Sequence, residues 1–362
     1  MTQKPQLYLH IGHPKTASST LQAFLYKNAR QLRKAGFGLP TSKLACSNET
    51  LPAANPLWTL ENIKDTGDVS AIERWIEDSQ QLPNPPNKLI LSSESMAQKE
   101  WPDVFTGISE LADIHLIYYV RRQDQLLLSA WRQWGLKRGL SLEDFLARRL
   151  HNKQPDYLSI LTPWLETVQL ASHHVRFIQP PFLNSPGLSG AGLGATGLSG
   201  AGLGSTGLSG TGIIEDFCTH IDFDASDCVP VANENISIDA RLLLFVNQHT
   251  ELFSSVHDEE IFSLLAQSKT AEPDVRLAFT KGQFIQVRDT FEPLNQALLN
   301  VCQTSRAGIA VIDEKTARFA NEGGNTLSLP AQISYVRTLL DGAINPDHEK
   351  LVKLKKILSR QA

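Results

Sequence analysis

The chain predicts an α/β fold: a central parallel sheet flanked by helices, with a mostly helical C-terminal part. Three observations predict it. Short apolar runs that end in Gly, Pro or polar residues read as buried strands. Amphipathic helical stretches separate them. Beyond about residue 212 the helical pattern continues with no further strand signal. Strands alternating with helices pair in parallel through crossover connections. In such sheets ligands bind past the carboxyl ends of the strands.

The elements follow in order. PQLYLHIGH is the first strand, closed by Gly12 and Pro14. From Ser18 the apolar residues Leu21, Phe24, Leu25 and Leu32 take helical spacing, and Gly36 and Gly38 stop the helix. Residues 39–68 read as irregular. VSAIERWIEDSQQL is an amphipathic helix stopped by PNPPN, and KLILSSES is a second strand. A short helix is expected near 101–111. DIHLIYYVRR is a β-rich third strand ending in two arginines, QDQLLLSAWRQWGLKRG a helix with Gly at its end, and HHVRFIQPP a fourth strand. Downstream, IIEDFCTHI, SIDARLLLFVNQHTELF, EEIFSLLAQS, GQFIQVRDTFEPLNQALLNVCQ and DHEKLVKLKKILSR all read as helices.

The 362 residues suit one elaborated domain, with the α/β core over 1–180 and the helical part over 213–362. Between them, 185–212 carries GLSGAGLGAT followed by GLSGAGLGST, a glycine-rich repeat too short for a solenoid and read as a flexible surface insertion. Hydrophobic residues make up 41% and charged residues 20% of the chain, as in ordinary globular proteins. A formal net charge of −4 argues against a broad nucleic-acid-binding surface. No run of about 18 apolar residues suggests a membrane span. The opening apolar run is too short for a signal peptide, so a cytoplasmic location is expected. Cys46, Cys218, Cys228 and Cys302 are scattered with no C-x-x-C pair, which suggests reduced structural cysteines and no zinc site. The oligomeric state is open.

Three polar clusters converge on one sheet edge: the loop 12–18, the segment 92–95 and the pair 121–122. The loop sits between the first strand and the first helix. The common phosphate loop is G-x-x-x-x-G-K-[ST]. Counted from Gly12, its second glycine falls on Ala17 and its lysine on Ser18, whereas the lysine here is Lys15. Ser18, Ser19 and Thr20 open the helix, and their N–H groups and hydroxyls offer an anion site. The plainer reading is that Ser18 or Ser19 caps the helix and Lys15 is solvated. In the second cluster Arg121 ends a strand and Ser129 follows eight residues later in a helix. A guanidinium fork and a hydroxyl there suit one phosphate.

Lys-Thr-x-[Ser/Thr]-[Ser/Thr] after the first strand, then Arg-x7-Ser after a later one, resembles the sulfotransferases that use 3'-phosphoadenosine 5'-phosphosulfate (PAPS), closest to bacterial members related to heparan-type carbohydrate sulfotransferases. The resemblance covers roughly the first 180 residues, with a weaker likeness at VANENISIDARLLLFVNQ. It implies a P-loop-NTPase-like sheet and a PAPS-binding core. It implies that Lys15, Thr16, Ala17, Ser18 and Ser19, with Thr20 adjacent, hold the 5'-phosphosulfate and that Arg121 and Ser129 hold the 3'-phosphate. The activity implied is sulfuryl transfer to a hydroxyl or amine, of a carbohydrate or glycolipid, without a metal. Lys15 would stabilise the leaving phosphate. Glu94 would be the general base, with His13 the rival base or a substrate contact. Two departures stand out. The family usually has glycine where Ala17 stands, and alanine accommodates a helical conformation there but not a left-handed one. No Arg-Lys-Gly loop of the cytosolic branch is evident downstream.

His10 is expected to pack in or beside the sheet. Trp131, Arg132 and Trp134 follow Arg121 on a helix, where they could line an acceptor cleft. At least one of the tryptophans is expected in the core. Two rival functions remain: a P-loop small-molecule kinase, disfavoured by serine at position 18, and a non-catalytic nucleotide-binding relative.

Overall fold

The computed structural model describes residues 4–45, 55–178, 212–231, 238–266, 268, 274–302 and 328–361. The repeat expected at 185–212 lies outside them, apart from Gly212, as do Cys46 and most of VANENISI. Two compact units are present. The first draws on Met1–Arg122, Asp156–Asn233 and Pro293–Val311, the second on Gln123–Pro155, Glu234–Glu292 and Ile312–Ala362.

The first unit holds a parallel sheet of five strands: β1 (Gln6–His10), β2 (Phe37–Gly38), β3 (Lys88–Ser92), β4 (Asp113–Arg121) and β5 (Leu170–Ile178). Their order is β2-β3-β1-β4-β5, with β1 in the centre. His10 pairs with Ser92 on one side and Ile117 on the other. The alternating residues Leu7, Leu9, Leu89 and Leu91 on one face are all fully buried. Tyr8 and Ile90 on the other face join a core with Leu21, Phe24 and Leu25 of α1 (Ser18–Lys27). Burial on both faces explains why these strands read as continuous apolar runs.

The other helices among the described residues of this unit are α2 (Ala29–Lys34), α3 (Leu57–Thr66), α4 (Ser70–Gln80), α5 (Trp101–Phe105), α8 (Tyr157–Thr167) and α9 (Ile213–His220). The first helix is broken where one continuous helix was expected. The Asn28 amide bonds the Phe24 carbonyl at 3.1 Å and both backbone groups of Val229, so its side chain competes with the helical ladder. Residues 39–68 are not irregular throughout, since α3 occupies 57–66. Its buried residues are Leu60 and Ile63, while Trp58 is 87% exposed. Apolar residues on both faces hid the periodicity. A buried carboxylate ties α9 to the sheet: Asp216 accepts from the Tyr119 hydroxyl at 2.7 Å and from Arg176 at 2.8 Å.

The second unit is helical: α6 (Gln123–Ala130), α7 (Leu142–His151), α10 (Ala240–Asn247), α11 (Glu260–Leu265), α13 (Leu329–Asp341) and α14 (Glu349–Ser359). One further helix, α12 (Lys281–Val301), carries Pro293 in its interior. The uniform helix expected over QDQLLLSAWRQWGLKRG instead ends at Ala130 and continues as a π-turn and a 3₁₀ turn. Trp131 Nε1 donates to the Leu140 carbonyl, and Asn247 donates to the carbonyls of Leu136 and Leu140. These side chains satisfy carbonyls that the irregular turns release. The buried Arg241 bonds Asp239 and lies 3.8 Å from the Tyr335 ring centroid, joining α10 to α13.

Burial makes the first unit acid-sensitive. Desolvation lowers the His10 pKa from 6.5 to about 3. It also lowers His174 to about 4, helped by the charges of His220 and Arg176, and depresses His115, His173 and His220. Between about pH 6.5 and 3 the unfolded chain holds protons on these rings that the folded chain does not. Stability is therefore full above pH 6.5 and falls as the pH drops, by at most about 1.4 kcal/mol per pH unit for the fully buried His10. The partly exposed rings contribute less. Urea unfolding at pH 7.5, 6 and 5 should show a steadily falling midpoint.

Candidate functional site: the loop after β1

The length of β4 positions the site. It has nine residues against five for β1, so it runs on beside the loop after β1. Ile11 N–H donates to the Ile117 carbonyl at 3.0 Å, and His13 N–H to the Tyr119 carbonyl at 3.2 Å. Two residues further on, Arg121 Nη1 donates to the Lys15 carbonyl at 3.3 Å. On the other side Ser93 N–H donates to the His10 carbonyl at 3.0 Å. The Ser93 hydroxyl then caps a 3₁₀ turn, Glu94–Met96, that begins with the half-buried Glu94. The loop, Glu94 and Arg121 thus share the carboxyl edge of three adjacent strands.

Within the loop Thr16 is fully buried, and both its N–H and its hydroxyl donate to the His13 carbonyl. This closes a turn over Pro14 and the half-buried Lys15. Lys15 has φ 68°, and Ala17 has φ 62° and ψ 22°. The expectation that alanine excludes a left-handed conformation at 17 is thus corrected. The surrounding bonds hold Ala17 there at a cost of about 1–2 kcal/mol. The Ala17 carbonyl accepts the N–H groups of Thr20 and Leu21, the first bonds of α1. Ala17 is also the N-cap residue and has no polar side chain, so serine capping does not occur here. Ser19 is exposed and Thr20 half-buried. Ser18 is 2% exposed, and its Oγ has no hydrogen-bond partner among the described residues.

Gly12 is set by close approach. A Cβ there would lie 2.4 Å from His10 Nε2 and 2.9 Å from Ser18 Oγ. His10 is fully buried, as expected, with Nδ1 2.8 Å from Ser92 Oγ and its ring beside Tyr119 and Phe217. His13 has Nδ1 3.0 Å from the Pro14 carbonyl.

Sequence reasoning missed Tyr157. Its hydroxyl donates to the Arg121 carbonyl, and its buried ring meets His13 edge-on at 5.3 Å. It therefore braces both flanks of the loop. No local pattern announces a tyrosine 36 residues beyond Arg121. It also missed Ser92 as the partner of His10, which only strand register reveals.

Ser129 and the aromatic cluster belong to the second unit. Ser129 is half-buried on α6. Trp131 is a fully buried core residue, and Trp134 is half-buried. Arg132 lies 3.5 Å from Glu259, which also pairs with Lys137 at 2.7 Å. Among the described residues no group of His, Cys, Asp and Glu could hold a metal ion, and no helix is long and apolar enough to cross a membrane.

The arrangement can receive an anion. It combines a helix N-terminus free of side-chain capping, a buried hydroxyl with no partner among the described residues, and a lysine on the loop beside an arginine at the end of β4. Two substitutions probe its construction. Gly12→Ala forces His10 or Ser18 aside and should lower unfolding stability by about 1–3 kcal/mol. Ala17→Gly removes the left-handed penalty but loosens the unfolded chain, for a net gain of roughly 0.5–1 kcal/mol. Urea denaturation of both variants checks these signs. No protein-family model matches this chain, and no curated protein matches it either.

Proposed function

We propose that the chain is a PAPS-dependent sulfotransferase acting on a hydroxyl or amine, of a carbohydrate or glycolipid. The observation that carries this reading is the meeting of Arg121 with the Lys15 loop at the carboxyl edge of a parallel sheet. The loop is built for an anion, and its lysine lies outside the usual nucleotide-triphosphate position. Ala17 in the left-handed region also supports it, because the loop keeps a glycine-like path despite the substitution. The strand–loop–helix unit on a parallel sheet fits the P-loop-like variant of the α/β class.

The chain's residues fit the donor: the unpartnered Ser18 hydroxyl and the uncapped start of α1 suit its 5' oxygens. PAPS supplies the sulfuryl group, SO₃, and its phosphate departs with the electrons of the broken S–O bond. Lys15 stabilises the negative charge that gathers on that oxygen, together with Ser18, Ser19 and Thr20, while Thr16, whose N–H and hydroxyl both bond the His13 carbonyl, holds the loop's turn. Arg121 holds the 3'-phosphate. Glu94 takes the proton from the acceptor oxygen as that oxygen forms the new bond to sulfur. No step is assigned to a metal.

The test is transfer of labelled sulfate from PAPS to a panel of saccharides and glycolipids. Lys15→Ala should lower kcat by roughly 10²–10³. Glu94→Gln should lower kcat with little change in donor affinity, and Arg121→Ala should chiefly weaken donor binding. 3'-Phosphoadenosine 5'-phosphate should raise the melting temperature, and ATP with magnesium should not. Donor binding without transfer would indicate a non-catalytic relative. Full activity in both Lys15→Ala and Arg121→Ala would overturn the site assignment.

A further inference from the structure

We propose that His10 is a positioning residue of the anion loop: its Nε2–H donates to Ser18 Oγ when an anion is bound, which directs the Ser18 hydroxyl proton to a ligand oxygen. The inference deepens the proposed function and rests on its reading of the loop as an anion site.

Four observations carry it. His10 is fully buried, and its Nε2 has no hydrogen-bond partner among the described residues. Ser18, at the start of the ten-residue α1, is 2% exposed with an equally unpartnered Oγ. Both atoms converge on Gly12, where a Cβ would lie 2.4 Å from one and 2.9 Å from the other. On its far side the imidazole is anchored by Nδ1 to Ser92 Oγ at 2.8 Å and flanked by Tyr119 and Phe217.

Two polar atoms buried about Gly12 without partners among the described residues are unfavourable, because each has given up its hydrogen bond to water. A small movement of the loop lets them bond each other, and Gly12 leaves that path clear. Burial keeps the ring neutral down to about pH 3, so it has one donor and one acceptor nitrogen. If Ser92 donates to Nδ1, the ring proton sits on Nε2 and the chain of donors runs outward: Ser92 to His10, His10 to Ser18, Ser18 to the anion. The opposite tautomer draws the Ser18 proton inward and leaves the ligand facing a lone pair. Tautomer choice therefore decides whether Ser18 attracts or repels an anion.

Calorimetric binding of two probes, 3'-phosphoadenosine 5'-phosphate and inorganic pyrophosphate, tests the inference in the full chain and in His10→Phe, Ser18→Ala and the double variant. Each single change should weaken both probes about tenfold, and the double variant should lose no more than either, because one chain of donors is broken once. Losses that multiply to about 100-fold would show that His10 acts separately from Ser18 and would overturn the proposal. Nitrogen-15 histidine spectra of the wild-type protein give a readout that packing alone would not move. The Nε2–H tautomer with a proton shift on adding either probe is expected, and a Nδ1–H tautomer would overturn the proposal even if His10→Phe fails to fold. Pyrophosphate binding with the expected coupling, but no binding of the nucleotide, would remove the PAPS reading and leave the role of His10 standing. If neither probe binds the wild type, the role of His10 falls as well.

Discussion

The site depends on the backbone pairing of β1 between β3, which ends level with it, and the longer β4. His10 is in register with Ser92 and Ile117, and hydrogen bonds continue beyond the strand through Ile11, His13 and Ser93. Parallel register fixes where each strand stops relative to the others. Four more residues of β4 past Ile117 carry Arg121 alongside the loop, and two residues past Ser92 bring Glu94 to the same edge. No side chain needs to search for this arrangement; the sheet ladder sets it.

On that frame the loop holds an unfavourable backbone. Lys15 and Ala17 both lie in the left-handed region, where a Cβ is crowded. Several bonds oppose relaxation: Thr16 to His13, Arg121 to Lys15, and the first α1 bonds to the Ala17 carbonyl. Tyr157 adds a brace from α8, through the Arg121 carbonyl and the His13 ring. Strain of this kind persists only where surrounding contacts over-determine the backbone.

Beneath the loop a second polar layer supports the first. His10 contacts Tyr119 and Phe217, and Tyr119 donates to the buried Asp216 of α9. Arg176 completes the pairing of that carboxylate. A charge buried this deeply is tolerable only when paired and hydrogen-bonded. The network therefore fixes α9 against β4 and β5 and, through the two aromatic rings, holds the imidazole floor of the loop in place.

Local pattern was enough for much of this protein. The four long strands, the loop and the first helix were legible because buried parallel strands read as short apolar runs and helices keep their period. The five loop residues, Glu94 and Arg121 could be named as neighbours because all stand at strand ends. The sequence misled where apolar residues fall on both faces, as in α3, and where a distant partner ends a helix early, as Val229 does at Asn28. Only the tertiary structure decided that Ala17 is left-handed, that Tyr157 braces Arg121, that Ser92 anchors His10, and that His10 and Ser18 meet at Gly12. The contacts of Tyr157 with Arg121, of Ser92 with His10 and of Arg121 with Lys15 join residues far apart in the chain, and a contact of that kind leaves no signature in the residues beside it.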